Sequence, residues 1–307
     1  MVNVSSKQIS LRTARAIGKV LCSPETVERI KNNTLPKGNL FDIAKAAGLL
    51  ASKNTSHLIP HCHPVSIDGM EIDYEILDGS QGENGVLINV EGRSIGRTGI
   101  EMEVLTAVSV CALTIYDLLK PIDKNLEMTS FKLTEKTGGK SDQKKEVKGT
   151  NKVAILVCSD STAAGTRKDK SGLIIKDMVS QYKAEVVDYK IVPDKADIIQ
   201  KQIMDWVEAD IHFIFTTGGT GLGPKDHTVD AVKEIIERDA PGISEAVRVF
   251  GGMRSPFAML SRSVAGSIKN TLIITLPGSS DGAREGLEAV LPGVFHSRKM
   301  LMGGGHD

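Results

Sequence analysis

The sequence predicts two domains of different class: an α+β unit over residues 1–141 and an α/β unit over residues 152–307. Three observations carry this. Residues 137–151, TGGKSDQKKEVKGTN, hold one apolar residue, Val147, among lysines, glycines and polar residues. That is the composition of a linker, leaving 142–151 as the connecting segment, or else of a long exposed loop. After it, short and nearly continuous apolar runs alternate with helical spacing, the pattern of a parallel sheet covered on both faces. Before it, two helical patterns are separated by extended segments. A chain of 307 residues is long enough for two ordinary domains.

In the N-terminal half, Asn39 can cap a helix over 40–54, with Asp42 three residues on. Extended segments follow at 69–77 and 85–92. A second helix over 103–120 places Val104, Val108, Cys111, Ile115 and Leu118 at helical spacing. A further extended segment covers 126–133. Helices on one face of an antiparallel sheet, in a ferredoxin-like arrangement, suit this pattern.

The C-terminal half opens with the apolar strand 152–158. Residues 171–183 carry helical spacing at Leu173, Ile174, Met178 and Tyr182, and the strand-like EVVDYKIV follows. Asp194 can cap the next helix, with Asp197 at its third position favourable to the dipole. Strands at 211–217 and 271–276 complete a three-layer unit with a mainly parallel sheet. Ligands in such units sit beyond the carboxyl ends of the strands. Three loops fall there: Ser159-Asp160, Gly218–Asp226 and Pro277-Gly278-Ser279.

Lys+Arg and Asp+Glu are both 38, which removes overall charge as an argument for nucleic acid or an anionic membrane. Aromatics at 4% leave little material for stacking bases. Cys22, Cys62, Cys111 and Cys158 form no CxxC pair and read as reduced thiols of a cytoplasmic protein. The start, MVNVSSKQISLRTARA, has no apolar signal region. No run approaches the ~18–20 apolar residues of a membrane span.

The loop GGTGLGPKD at 218–226 follows an apolar strand. It is not a P-loop, because Pro224 separates Gly223 from Lys225. Nor is it the dinucleotide fingerprint, because Gly219, Gly221 and Gly223 alternate. Its glycines permit close backbone approach. Lys225 suits a phosphate and Asp226 suits Mg²⁺. The other reading is a tight turn with solvated charges, with Thr228 capping the following helix. Asp160 and Asp194 add carboxylates nearby, or are helix caps.

SD at 159–160, VPD at 192–194, TTGGTG at 216–221, PKD at 224–226, PGISEAVR at 241–248, LSRSVAG at 260–266 and LPGS at 276–279 together resemble the MoaB/MogA family. Its members adenylylate molybdopterin with Mg-ATP and release pyrophosphate. The resemblance implies that Asp226 and Asp194 handle metal and nucleotide, with Asp226 also in the catalytic set. Ser159, Asp160, Gly218, Gly219, Thr220, Gly221, Pro277, Gly278 and Ser279 would lie around ATP and pterin. A trimer is implied too.

In the N-terminal half HLIPHCHP, residues 57–64, admits three readings. His57, His61, Cys62 and His63 could bind zinc, sit in a turn, or act on substrate. Zinc is not expected, because no fourth ligand with metal-site spacing is evident. Asp117 and Lys120 share a helix face, which is ordinarily a surface ion pair of little worth. Yet KG at 37–38, AAGLLASKNTSHLIPHCHP at 46–64, GRTGIEMEVLTAVSVCALTIYDLLK at 96–120 and GGKS at 138–141 resemble the MoaC family. Members convert cyclised dihydro-GTP to cyclic pyranopterin monophosphate with loss of pyrophosphate, at a site between subunits of a hexamer. The resemblance implies Asp117 as acid/base paired with Lys120. Lys37 and Lys53 join them as cations for the triphosphate. His63 or a lysine of lowered pKa is a further proton carrier, and His61, Cys62, His63, Met102 and Glu103 touch substrate. The chain departs from the family pattern at Asn3, Asn39, His61 and Arg97.

The expectation is a bifunctional enzyme that assembles as a trimer or hexamer. Its partners are cyclised dihydro-GTP, molybdopterin and ATP, with no nucleic acid and no membrane. The alternatives are that one half is a silent pterin-binding or oligomerising scaffold, or that the histidines form a zinc hydrolase.

Overall fold

The computed structural model describes residues 1–80, 82–139, 142 and 150–304. The chain divides into two compact units, Met1–Asp142 and Gln143–Asp307. Most of the expected connecting segment, with Lys140 and Ser141 before it, lies outside the described residues.

The first unit runs β1 (Ser10–Leu21), α1 (Pro24–Lys31), α2 (Leu40–Lys53), α3 (Thr55–Leu58), β2 (Gly69–Asp78), β3 (Asn84–Gly96), α4 (Glu101–Leu119) and β4 (Glu127–Thr137). Its sheet order is β2-β3-β1-β4, with every neighbouring pair antiparallel. That is the split βαβ arrangement expected of the ferredoxin-like class. The extended segments and both long helices are where the pattern put them, each somewhat longer or displaced at its ends. The central strand β1 and helix α1 were not anticipated. On β1 the inward residues are Ala14, Ala16, Gly18 and Val20, and the outward ones include Arg15 and Lys19. Small residues here let α4 lie close: a Cβ at Gly18 would stand 2.6 Å from Val108 Cγ1 and 2.8 Å from Phe131. Ser23 caps α1 and Pro24 occupies its first turn.

Helix α4 buries Val104, Ala107, Val108, Cys111, Ala112 and Ile115 completely. By length and composition it could cross a membrane, contrary to the expectation that no run qualifies. Packing against the sheet and α2 accounts for its buried half, while Met102, Leu113 and Tyr116 are exposed. Helix α2 runs antiparallel to α4. Lys37, just before α2, reaches Asp117 near the end of α4, and Gly48 meets Cys111 midway.

The second unit runs β5 (Asn151–Cys158), α5 (Asp160–Ala163), α6 (Ser171–Val179), β6 (Ala184–Val192), α7 (Ala196–Glu208), β7 (Phe213–Thr217), α8 (Thr228–Ile235), β8 (Arg238–Asp239), α9 (Pro241–Gly252), β9 (Ala265–Ile268), β10 (Thr271–Leu276), α10 (Ser280–Val290) and α11 (Ser297–Leu301). Its sheet order is β6-β5-β7-β10-β9-β8. The first four strands are parallel and the last two pair antiparallel. Val153, Ile155, Phe213 and Phe215 pack on one face with α6, α9 and α10. Ala154, Leu156 and Ile214 pack on the other with α7 and α8. The continuous apolar strands are thus covered on both sides. Helix α6 stops at Val179, short of the expected residue 183, and Tyr182 beyond it packs on Phe295.

Candidate functional site

Parallel register brings the three expected loops of the second unit together. Val157 lies opposite Thr217, and Thr217 opposite Leu276, so the residues after β5, β7 and β10 emerge at one edge. Gly218 and Gly219 have φ of +100° and +60°. A Cβ at Gly218 would collide with the Cys158 carbonyl, and one at Gly219 with Asp194 Oδ2. Glycine is therefore required twice, by backbone conformation and by space.

These loops enclose a cleft of about 360 Å³. Ser159, Asp160, Asp194, Gly218 and Gly219 line it, as do Asp226, Gly278 and Ser279. Thr220 and Gly221 do not. Thr220 is buried, and the Gly221 carbonyl accepts from Arg262 Nε at 2.7 Å. Pro277 borders an adjoining cleft of about 400 Å³ that shares Ser279 and carries Arg248 and Arg254.

Asp194 corrects two expectations. It does not cap its own helix, which starts at Ala196 after Lys195 without a side-chain cap. Its Oδ1 instead accepts from the backbone N–H of His227 at 3.3 Å and from Thr228 Oγ1 at 3.1 Å. Thr228 is thus a donor inside α8 rather than its cap. The backbone N–H of Asp194 donates to Asp160 Oδ1 at 3.0 Å. Asp194 is buried, which pushes its carboxyl above the usual range, and the charge of Asp226 adds to the shift. A buried carboxylate beside a second one, in a cleft, fits a divalent cation, which would favour the ionised form of both. Asp226 Oδ2 accepts from Gly223 N–H at 2.8 Å, closing the loop on itself.

Sequence reasoning gave no role to Arg262, within LSRSVAG. Its guanidinium donates to the Gly221 carbonyl, to the Asp226 carbonyl at 2.7 Å and to Asp230 at 2.9 Å. It ties the middle and the far end of the glycine loop to α8. Arg167, Lys168 and Lys170 also line the cleft unannounced.

In the first unit the expected residues form two groups. Asp117 Oδ1 pairs with Lys120 at 2.6 Å, and its Oδ2 with Lys37 at 3.1 Å. The Lys120 bond foremost, then that to Lys37, holds the Asp117 carboxyl below the usual range. Asp117 in turn raises Lys120, so Lys120 is not a lysine of lowered pKa. The other group, His61, Cys62, His63, Met102 and Glu103, lines a cavity of about 590 Å³ with Lys7. Glu103 is buried and its carboxyl is raised by that burial. Lys53 ends α2 and does not line this cavity. Glu103 and Asp117 are 14 residues apart on one straight helix, or about 21 Å at 1.5 Å per residue. One chain does not bring the two groups together. Among the described residues no three His, Cys, Asp or Glu side chains gather as metal ligands, and His57 stands exposed on α3.

Two family models match the chain: the MoaC family over residues 1–139, and the probable molybdopterin binding domain over 154–296. A "Molybdenum cofactor biosynthesis bifunctional protein" of Chlorobaculum tepidum is 42% identical over 306 residues, covering 100% of this chain and 96% of that one. A "Cyclic pyranopterin monophosphate synthase" of Desulfitobacterium hafniense is 47% identical over 143 residues, 46% of this chain and 84% of that one. The crystal structure of the molybdopterin biosynthesis enzyme MoaB from Thermus thermophilus is 40% identical. It covers 52% of this chain and 100% of that one, with a TM-score of 0.49.

Proposed function

The chain belongs to the bifunctional molybdenum cofactor biosynthesis proteins, joining a MoaC-family unit to a molybdopterin-binding unit, and from that premise we propose two activities. The C-terminal unit transfers an adenylyl group from ATP to molybdopterin. One juxtaposition supports this: the coupled carboxylates Asp194 and Asp226 share a cleft with Lys225 and the loop backbone of Gly218 and Gly219. A terminal phosphate of molybdopterin attacks the α-phosphorus of ATP. A new P–O bond forms as the bond to the β-phosphate oxygen breaks, and pyrophosphate leaves. Such a reaction needs alignment and charge neutralisation rather than a covalent enzyme intermediate. Mg²⁺ carried with ATP would supply neutralisation, held by Asp226 and Asp194. Lys225 orients phosphates, and the adjoining cleft with Arg248 and Arg254 takes the pterin, meeting the nucleotide at Ser279. Asp226→Asn should lower kcat for adenylyl transfer at least about 100-fold, judged by the usual effect of removing charge stabilisation. Near-normal kcat would refute the assignment.

The N-terminal unit converts cyclised dihydro-GTP to cyclic pyranopterin monophosphate and pyrophosphate. Asp117, kept ionised by Lys37 and Lys120, is the acid/base candidate, and those lysines meet the triphosphate. His61, Cys62, His63, Met102 and Glu103 hold the substrate from the opposite end of α4. Because that end is far from Asp117 in one chain, the site is assembled from two copies, the Asp117 end of one facing the His63 end of the other. Paired N-terminal units and threefold C-terminal units are reconciled by a hexamer.

A further inference from the structure

The segment Arg167–Lys170 is the least explained part of the C-terminal cleft. Arg167, Lys168 and Lys170 line it, facing the same space as Lys225. Among the described residues none of these four cations is in an ion pair, so their charge is available to an anion. The segment is fastened at both ends. Upstream, the backbone N–H groups of Thr166 and Arg167 donate to the Ser161 carbonyl at 2.9 and 3.1 Å, and Thr166 Oγ1 joins them at 2.8 Å. Downstream the fastener is Asp169, in the middle of the cations. Its Oδ1 accepts from Gly172 N–H at 3.0 Å and from Ser171 Oγ at 3.3 Å. Its Oδ2 accepts from the hydroxyl of Tyr189 on the edge strand β6.

Tyr189 is suited to this work and to no proton chemistry. Burial foremost, then the bond to Asp169, pushes its phenol well above the usual range, so it stays a neutral donor. Gly172 leaves room for the pair. A Cβ there would press on the Tyr189 hydroxyl, and would lie 2.6 Å from Asp169 Oδ2.

We propose that Tyr189 is a positioning residue: through Asp169 it holds Arg167, Lys168 and Lys170 as a cradle for the β- and γ-phosphates that leave as pyrophosphate. This rests on the adenylyl-transfer reading of the cleft. The reacting α-phosphate is served by the Asp194/Asp226 side, and the leaving group by the strap. The two phosphate regions then have separate supports, and the strap acts on nucleotide and pyrophosphate but not on molybdopterin.

The test is Tyr189→Phe in the full chain, with steady-state adenylyl transfer and calorimetric titration of inorganic pyrophosphate. Loss of a hydrogen bond to a charged group that orders the cradle should raise the KM for ATP and the Kd for pyrophosphate about tenfold. The KM for molybdopterin should stay near wild type, and the Tm should fall by no more than about 10 °C, the cost of one such hydrogen bond. Arg167→Ala should weaken pyrophosphate in the same direction without Tyr189 being touched. Equal rises in both KM values would make Tyr189 merely structural, and no change in either would also overturn the proposal. Should wild type transfer no adenylyl group, the catalytic reading fails by itself. Pyrophosphate binding still decides the cradle, since weaker binding in Tyr189→Phe upholds it and equal binding sinks it.

Discussion

Single side chains decide how the two sites are held, and two predictions belong at this scale. Arg262 makes three kinds of contact at once, to Gly221, Asp226 and Asp230. Each hydrogen bond from a charged donor is worth about 1.5–3 kcal/mol, reduced where water reaches it. Arg262→Ala should therefore release the loop Gly218–Asp226 without unfolding the sheet. Amide exchange within the loop should speed up at least about tenfold while β7 stays protected. Uniform loss of protection would mean that Arg262 supports the whole unit instead. His212 sets a pH response. Its Nδ1 accepts from Lys152 N–H at 2.9 Å, a role only the neutral ring can play on that nitrogen. Burial first, then the nearby Arg298, lowers its pKa. The folded state thus binds this proton less readily than the unfolded chain. Its contribution is complete above the ordinary imidazole value of about 6.5 and fades as pH falls below it toward the lower native value. Thermal melts of wild type between about pH 5 and 7.5 should show Tm falling toward acid, and His212→Gln should flatten that slope. An unchanged slope would remove His212 from the account.

At the scale of elements, packing of α2 on α4 passes through one glycine. A Cβ at Gly48 would collide with Cys111 Sγ and stand 2.9 Å from Ile72. Gly48→Ala should cost about 1–3 kcal/mol by overpacking. The single tryptophan, Trp206, is buried in the other unit, so its fluorescence reports that unit alone. In urea, the circular-dichroism transition of the N-terminal unit should move to lower denaturant while the Trp206 transition stays in place. Coincident shifts would show that the units unfold together. The elements also show what was legible. Continuous apolar strands and 3.6-residue spacing gave the parallel sheet and both long helices, because burial on both faces leaves a plain periodic trace. Strand β1 escaped because its buried face is Ala14, Ala16 and Gly18, residues chosen for closeness to α4 and too small to look apolar. The glycine loop was legible, since repeated glycine has few other causes. The partners of Asp194 were not, because His227 and Thr228 reach it only through the crossing of two distant loops. Arg262 was hidden for the same reason, lying about forty residues from the loop it fastens.

For the whole molecule, the proposed division of the first site between the Asp117 and His63 groups, which lie toward opposite ends of α4, predicts that the first activity depends on assembly. Asp117→Ala and His63→Ala should each be inactive in cyclic pyranopterin monophosphate formation. Co-assembled from the two variants, the protein should recover up to about a quarter of wild-type activity, since random pairing of copies leaves one site in four with both residues intact. No recovery in verified mixed oligomers would place both residues in the same copy's site. The measurement that tests the central claim most directly uses one purified chain and two substrates. Wild type, Asp117→Ala and Asp226→Asn would each be given cyclised dihydro-GTP in one assay, and molybdopterin with Mg-ATP in another. Wild type should perform both reactions. Asp117→Ala should lose only the first, and Asp226→Asn only the second. A wild type lacking either reaction, or a single substitution that abolishes both, would contradict two independent activities on one chain.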